Sequence, residues 1–197
     1  MSATNTGCRR QTVTVLFVDI VGFTALIDKL DCTDVRDLQV DYFDSVSAVM
    51  QSCGGVVEKY IGDAVMAVFG ADEGDGPSTA AAAGVRAGIQ VQDALRGRRL
   101  AGRFPVRTRV GLATGEVIID DAARPGGYGM ISGSVVSSAA RLQAYAPHNT
   151  VVVDAATRRI TDELIAYQEL PPVAVAGRPL PVDLWRALHS QTVLCAA

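Results

Sequence analysis

Apolar residues along the chain follow two rhythms, and the change from one to the other marks its elements. Thr12-Val13-Thr14-Val15-Leu16-Phe17-Val18 is β-branched and apolar on both faces, which predicts an inner strand from Thr12 to Asp19. Gly22-Phe23-Thr24 then opens a short helix through about Lys29. From Asp34 to Ser52 the spacing becomes three and four. Val35, Leu38, Tyr42, Val46 and Val49 share one face of a longer helix, with Asp34 in its first turn and Gly54 past its end. Residues 56 to 69 read as a hairpin joined at Gly62-Asp63. Gly70 to Pro77 reads as a loop, with Ser78 as N-cap of an Ala-rich helix reaching about Arg96.

Pro105 to Ala113 alternates as a strand, a turn is expected at Thr114-Gly115, and Glu116 to Ile119 pairs back. Arg124 to Gly129 is a loop, and Gly133 to Ala146 is a third main helix stopped by Pro147. Thr150 to Val153 is a strand, Asp154 caps a short helix to about Ile160, and Pro181 to Leu188, carrying Trp185, closes the sheet. Strand, helix, two hairpin strands, helix, strand is the ferredoxin-like βαββαβ order, here α+β with a C-terminal extension and helices on one face of an antiparallel-containing sheet. No repeat or linker divides the chain. The expected division is a flexible start (1–10), one domain (11–188) and a tail (189–197).

Composition narrows the functions. The chain has 197 residues, 49% of them hydrophobic, enough for a real core in one domain. A net charge of −3 argues against nucleic acid, and the one dense basic run, Arg96-Gly97-Arg98-Arg99, reads as a solvated helix end. Apolar runs stop well short of the roughly 18 residues of a membrane span, and Met1 to Gly7 lacks the apolar core of a signal peptide, so a cytoplasmic location is expected. Cys8, Cys32, Cys53 and Cys195 form no CxxC pair, and only His148 and His189 could join them, so reduced thiols are expected rather than a structural zinc site.

Two acidic residues stand out. Asp19 ends the first apolar run just before a helix start, and Asp63 sits at the hairpin turn between two buried-looking segments. Each alone reads equally well as an N-cap or a turn residue. Together, at neighbouring strand ends, they make a pair of hard oxygen ligands suited to Mg²⁺ carrying phosphates, because uncompensated carboxylates would repel.

Four stretches in order carry a resemblance: Phe17-Val18-Asp19-Ile20-Val21-Gly22-Phe23-Thr24; Glu58-Lys59-Tyr60-Ile61-Gly62-Asp63-Ala64; Arg109-Val110-Gly111-Leu112-Ala113-Thr114-Gly115; and Gly133 with Ala139-Ala140-Arg141-Leu142. Over residues 11 to 188 the chain resembles a class III nucleotidyl cyclase catalytic domain. The resemblance implies conversion of a nucleoside triphosphate to a 3′,5′-cyclic nucleotide and pyrophosphate, at sites completed between two chains of a head-to-tail homodimer. It implies that Asp19, Asp63 and the backbone of Ile20 hold two Mg²⁺ or Mn²⁺ ions. Backbone amides of residues 20 to 24 would cradle the triphosphate, with Gly22, Phe23 and Thr24 beside the nucleotide.

By the same resemblance Arg109 contacts the terminal phosphates, and Arg141 reaches the α-phosphate of the partner's site as charge builds there. Lys59 reads N1 of adenine. An ammonium only donates, which favours ATP over guanine's N1–H. The plainer alternatives are an edge-strand lysine that discourages aggregation, an outward strand arginine and a helix-surface arginine.

Three positions depart from the family pattern. Met130 stands where an adenylyl cyclase has an Asp for the adenine amino group, and Ser137 where an Asn orients the ribose. Ala176 replaces a phosphate-binding lysine, with Arg178 as the nearest substitute. The resemblance therefore implies an adenylyl cyclase of low activity. The alternatives are a silent nucleotide-binding module and a cyclase of mixed ATP/GTP specificity.

Overall fold

The computed structural model describes residues 8–72, 74, 76–120, 130–174 and 181–189. In chain order the elements are β1 (Cys8–Ile20), α1 (Phe23–Ile27), α2 (Cys32–Ser52), β2 (Val56–Ile61), β3 (Ala64–Phe69), α3 (Pro77–Leu95), β4 (Arg99–Leu100), β5 (Phe104–Pro105), β6 (Thr108–Asp120), β7 (Met130–Ser132), α4 (Ser134–Tyr145), β8 (Thr150–Val153), α5 (Ala155–Thr161), β9 (Tyr167–Val173) and β10 (Val182–Ala187).

The main sheet runs β2-β3-β1-β6-β8-β10-β9, with β7 also on β6. Its first four strands, with α2 and α3, are the expected βαββαβ unit, and β1 is an inner strand with antiparallel partners on both sides. β6 and β8 are parallel, so the sheet is mixed.

Side chains alternate along β1 and divide the core in two. Leu16, Val18 and Ile20 pack with Leu38, Tyr42 and Val46 of α2 and with Val85 and Val91 of α3. Val13, Val15 and Phe17 pack on the other face with Val135, Ala139 and Leu142 of α4. Helices therefore cover both faces, which corrects the one-face arrangement expected from the first elements. Each buried Leu or Val contributes about 1.5–3 kcal/mol relative to exposure.

Several boundaries move, each for a local reason. β1 begins at Cys8, so Cys8, Arg9 and Arg10 pair with Asp120, Ile119 and Ile118 instead of belonging to a loose start. No turn forms at Thr114-Gly115. β6 runs straight through, since Thr114 and Gly115 pair with Thr14 and Val13, and the Thr14 and Thr114 hydroxyls bond at 2.8 Å. Gly76, not Ser78, precedes α3, and the Ser78 hydroxyl donates to the carbonyl of Ile160 on α5 instead. Asp154 does cap α5, accepting from the Thr157 N–H at 2.8 Å. The strand at Val182–Ala187 is not the sheet edge, because β9 lies outside it.

The basic run is pinned rather than free. Arg98 bonds Asp41 of α2, whose other oxygen accepts from the Ala101 N–H at 2.7 Å, and Arg103 bonds Asp34. Leu100 is fully buried beneath them. The small β4–β5 hairpin is thereby fastened to the flank of α2, beside its buried stripe. No helix among the described residues is long and apolar enough to cross a membrane.

Candidate functional site

Asp19 and Asp63 meet where β1 ends and the β2–β3 hairpin turns back. Both bends next to them need left-handed backbone, which glycine supplies at Gly22 (φ 73°) and Gly62 (φ 64°). The Ile20 N–H donates to Asp63 Oδ2 at 3.1 Å, tying the hairpin turn to the end of β1. Ile20 ends the β1–β6 ladder opposite Thr108, so what it can offer a cation is its carbonyl.

Asp19 faces Arg109 across the β1–β6 ladder. Arg109 Nη2 donates to Asp19 Oδ2 at 3.3 Å, and Gln143 Nε2 from α4 donates to the same oxygen at 3.1 Å. That leaves Oδ1 of Asp19 without an amide or guanidinium donor among the described residues. The other Arg109 nitrogen, Nη1, donates to the Ala144 carbonyl at 3.0 Å. Arg109, for which the resemblance implies terminal phosphates, braces Asp19 against α4 in this structure.

The two carboxyls are within hydrogen-bonding reach of one another. Burial, then that hydrogen bond, then the charge on Asp19 push Asp63 from an ordinary 3.8 up to about 7. Tyr42, from α2, has a fully buried ring, and its hydroxyl has no hydrogen-bond partner among the described residues. Burial first, then the charges of Asp19 and Asp63, hold that phenol well above its usual value.

These features fit a divalent cation. A repelling carboxyl pair and an unpartnered buried hydroxyl are both costly, and a positive charge between the carboxylates would relieve the first. No cluster of three or more His, Cys, Asp or Glu exists among the described residues, so the protein supplies few ligands. Mg²⁺ suits such a site because it keeps waters and takes substrate phosphates for the rest of its shell.

The remaining predicted residues are more scattered. The Val21 N–H is bonded to the Arg107 carbonyl at 2.8 Å and that of Ile20 to Asp63, so the expected amide cradle narrows to Gly22, Phe23 and Thr24. Phe23 buries its ring in the core, leaving its backbone to face a ligand. Lys59 is exposed on edge strand β2 at a register shift, 3.9 Å from Glu58. Ser137 and Arg141 lie exposed on α4, four apart and so on one side of it. Arg141 has no ion-pair partner among the described residues and lies along a cavity shared with Leu142, Tyr145 and Leu184. The Met130 backbone pairs with Asp120 at the start of β7, while its side chain, Ala176 and Arg178 lie outside the described residues.

Sequence reasoning missed Gln143 and the placement of Tyr42. The signal for Gln143 was present: a polar residue on the buried stripe Val135, Ala139, Leu142. In the sequence Tyr42 reads as one of the apolar positions of α2. Its hydroxyl gave no periodic clue.

Comparison with known proteins bears on this geometry. The model of the adenylate and guanylate cyclase catalytic domain matches residues 7–189. An uncharacterised protein of Rhizobium meliloti (strain 1021) is 30% identical over 92% of this chain, and adenylate cyclase 1 of the same organism is 25% identical over 91%. The chain spans only 18% and 28% of those two relatives' lengths. Among solved structures, the adenylyl cyclase CyaB from P. aeruginosa superposes with a TM-score of 0.83 at 26% identity, covering 94% of this chain and 98% of that one. The guanylyl cyclase Cya2 gives 0.81 at 25% identity, covering 92% and 93%.

Proposed function

We propose that this chain, which belongs to the adenylate and guanylate cyclase catalytic domain family, converts ATP to 3′,5′-cyclic AMP and pyrophosphate in the cytoplasm, at a site that a second copy completes. The observation that carries this reading is the paired carboxyls of Asp19 and Asp63, with Asp63 raised to about 7 by burial and by its neighbour. Such a pair is poised to take a cation together with a triphosphate.

In the reaction the ribose 3′-oxygen loses its proton and bonds to the α-phosphorus, while the bond from that phosphorus to the β-phosphate oxygen breaks. Two Mg²⁺ or Mn²⁺ ions, held by Asp19, Asp63 and the Ile20 carbonyl, would supply acidification of the hydroxyl and charge neutralisation of the pyrophosphate. The protein's own residues do the rest. Gly22, Phe23 and Thr24 present backbone N–H groups to phosphate oxygens at the start of α1, where those groups lack intrahelical partners. Lys59 donates to N1 of adenine, an acceptor that guanine does not have. Ser137 holds the ribose and Arg141, reaching in from the other copy, takes up charge on the α-phosphate.

Arg141 is exposed and has no ion-pair partner among the described residues, which supports its reaching the other copy's site. Met130 and Ser137 favour a slow enzyme, since a thioether and a short hydroxyl replace better positioning groups. The same two residues support a second reading, a nucleotide-binding module without turnover. Incubation of the purified protein with ATP or GTP and Mn²⁺, with both cyclic products measured, separates them. The proposal expects cyclic AMP in excess and its loss in Asp19→Ala; product unchanged in that variant would remove Asp19 from the mechanism.

A further inference from the structure

Gln143 occupies a place that neither the motifs nor the proposed chemistry uses. It is buried on α4, 8% exposed, and its amide shares Asp19 Oδ2 with Arg109. α4 can come this close because β6 carries a glycine beneath it: a Cβ on Gly111 would stand 2.1 Å from the Gln143 backbone nitrogen and 2.7 Å from the Ala139 carbonyl oxygen. Arg109 adds a second link, from the same carboxylate oxygen to the Ala144 carbonyl at 3.0 Å. Asp19 is thus bonded to the C-terminal half of α4 through two side chains.

That helix also carries Arg141. Residues two apart are rotated by about 200° around a helix, so Gln143 faces the sheet while Arg141 faces out. In the shared-site reading proposed above, on which this step rests, the outward arginine serves the other copy's nucleotide. We infer that Gln143 is a positioning residue that joins Asp19 to α4, so that the metal-binding carboxylate of one site and the arginine sent to the other are held as one unit. Its amide has two effects. It keeps Oδ2 of Asp19 turned toward α4, which frees Oδ1 for a cation, and it sets the seat of the helix from which Arg141 projects.

Mixed dimers separate these effects. Chains carrying Asp63→Ala and Arg141→Ala, differently tagged and purified as the mixed pair, keep one complete site, with carboxylates from the Arg141→Ala chain and arginine from the Asp63→Ala chain. Gln143→Met, which keeps length and volume but removes the donor, is then added to one chain at a time. In the chain that supplies the carboxylates it raises the Mn²⁺ concentration for half-maximal rate about 10-fold, with kcat at saturating Mn²⁺ nearly unchanged. In the chain that supplies the arginine it lowers kcat about 10-fold and leaves the Mn²⁺ dependence where it was.

Direct binding gives a readout apart from turnover. Free Mn²⁺, followed by electron paramagnetic resonance with 3′-deoxy-ATP bound, shows about 10-fold weaker binding to the Gln143→Met homodimer, and metal-free melting temperatures control for folding. Equal losses in both arms that follow the melting temperature, or no change in either, would overturn the inference alone. An inactive parent pair would overturn the shared-site reading and this inference with it.

Discussion

The carboxylate half of the candidate site and its nucleotide half are built in opposite ways. Asp19 and Asp63 are fastened from four directions, by the Ile20 N–H, Arg109, Gln143 and each other, over a fully buried tyrosine. Lys59, Ser137 and Arg141 stand exposed on an edge strand and a helix surface. The first half is preorganised within one chain, where its electrostatic cost has already been met by folding. In the proposed function the second half would gain its geometry against a second copy, the partner that the proposed chemistry requires.

The widest gap between the halves appears on removing a carboxylate. Asp63→Ala is expected to lower cyclic AMP formation by about 10³-fold, in an assay of product at saturating ATP and Mn²⁺. The eroded half should instead be open to gain. Met130→Asp combined with Ser137→Asn is expected to raise kcat by about 10²-fold, since positioning groups lost near a reacting centre cost that much. If the double variant leaves a silent protein silent, the binding-module reading takes over. Lys59→Glu is a smaller change. It should move the ratio of ATP to GTP turnover by about 10-fold toward GTP, because a carboxylate accepts from guanine's N1–H.

The smallest effect is on stability. Folding raises Asp63 from 3.8 to about 7, so between those values the folded chain holds a proton that the unfolded chain has released. The metal-free protein therefore loses stability as pH rises through that window, and is level above it. Asp63→Asn lacks the loss, so its melting temperature should climb relative to wild type from pH 4 to 8. A constant difference across that range would mean that the carboxyl is not under strain.

Much of the fold was legible because it rests on local signals. The β-branched run of β1, the three-and-four spacing of α2, the Gly62-Asp63 turn and the Asp154 cap each report their own structure. The failures came where a partner strand decides. Thr114-Gly115 reads as a turn until β6 is known to run on along β1, with Thr114 and Gly115 opposite Thr14 and Val13. β9 contains Pro171 and Pro172, which argue against a strand but are tolerated on the sheet edge where it lies.

The site divides along the same line. Asp19 and Asp63 could be paired from sequence because each marks a strand end. The resemblance implies a phosphate for Arg109, and nothing along the chain adds that its guanidinium spans Asp19 and Ala144, a brace that needs α4 to cross β6 at Gly111. Gln143 and Tyr42 depend on that same packing, and no spacing along the chain encodes it.

The division of the site between copies is tested most directly by mixing two inactive variants. Asp63→Ala and Arg141→Ala homodimers should each be nearly silent. Co-folded in equal amounts, they should recover about a quarter of wild-type cyclic AMP formation, since random pairing makes half the dimers mixed and each mixed dimer keeps one whole site. A mixture no more active than its components would contradict the shared site.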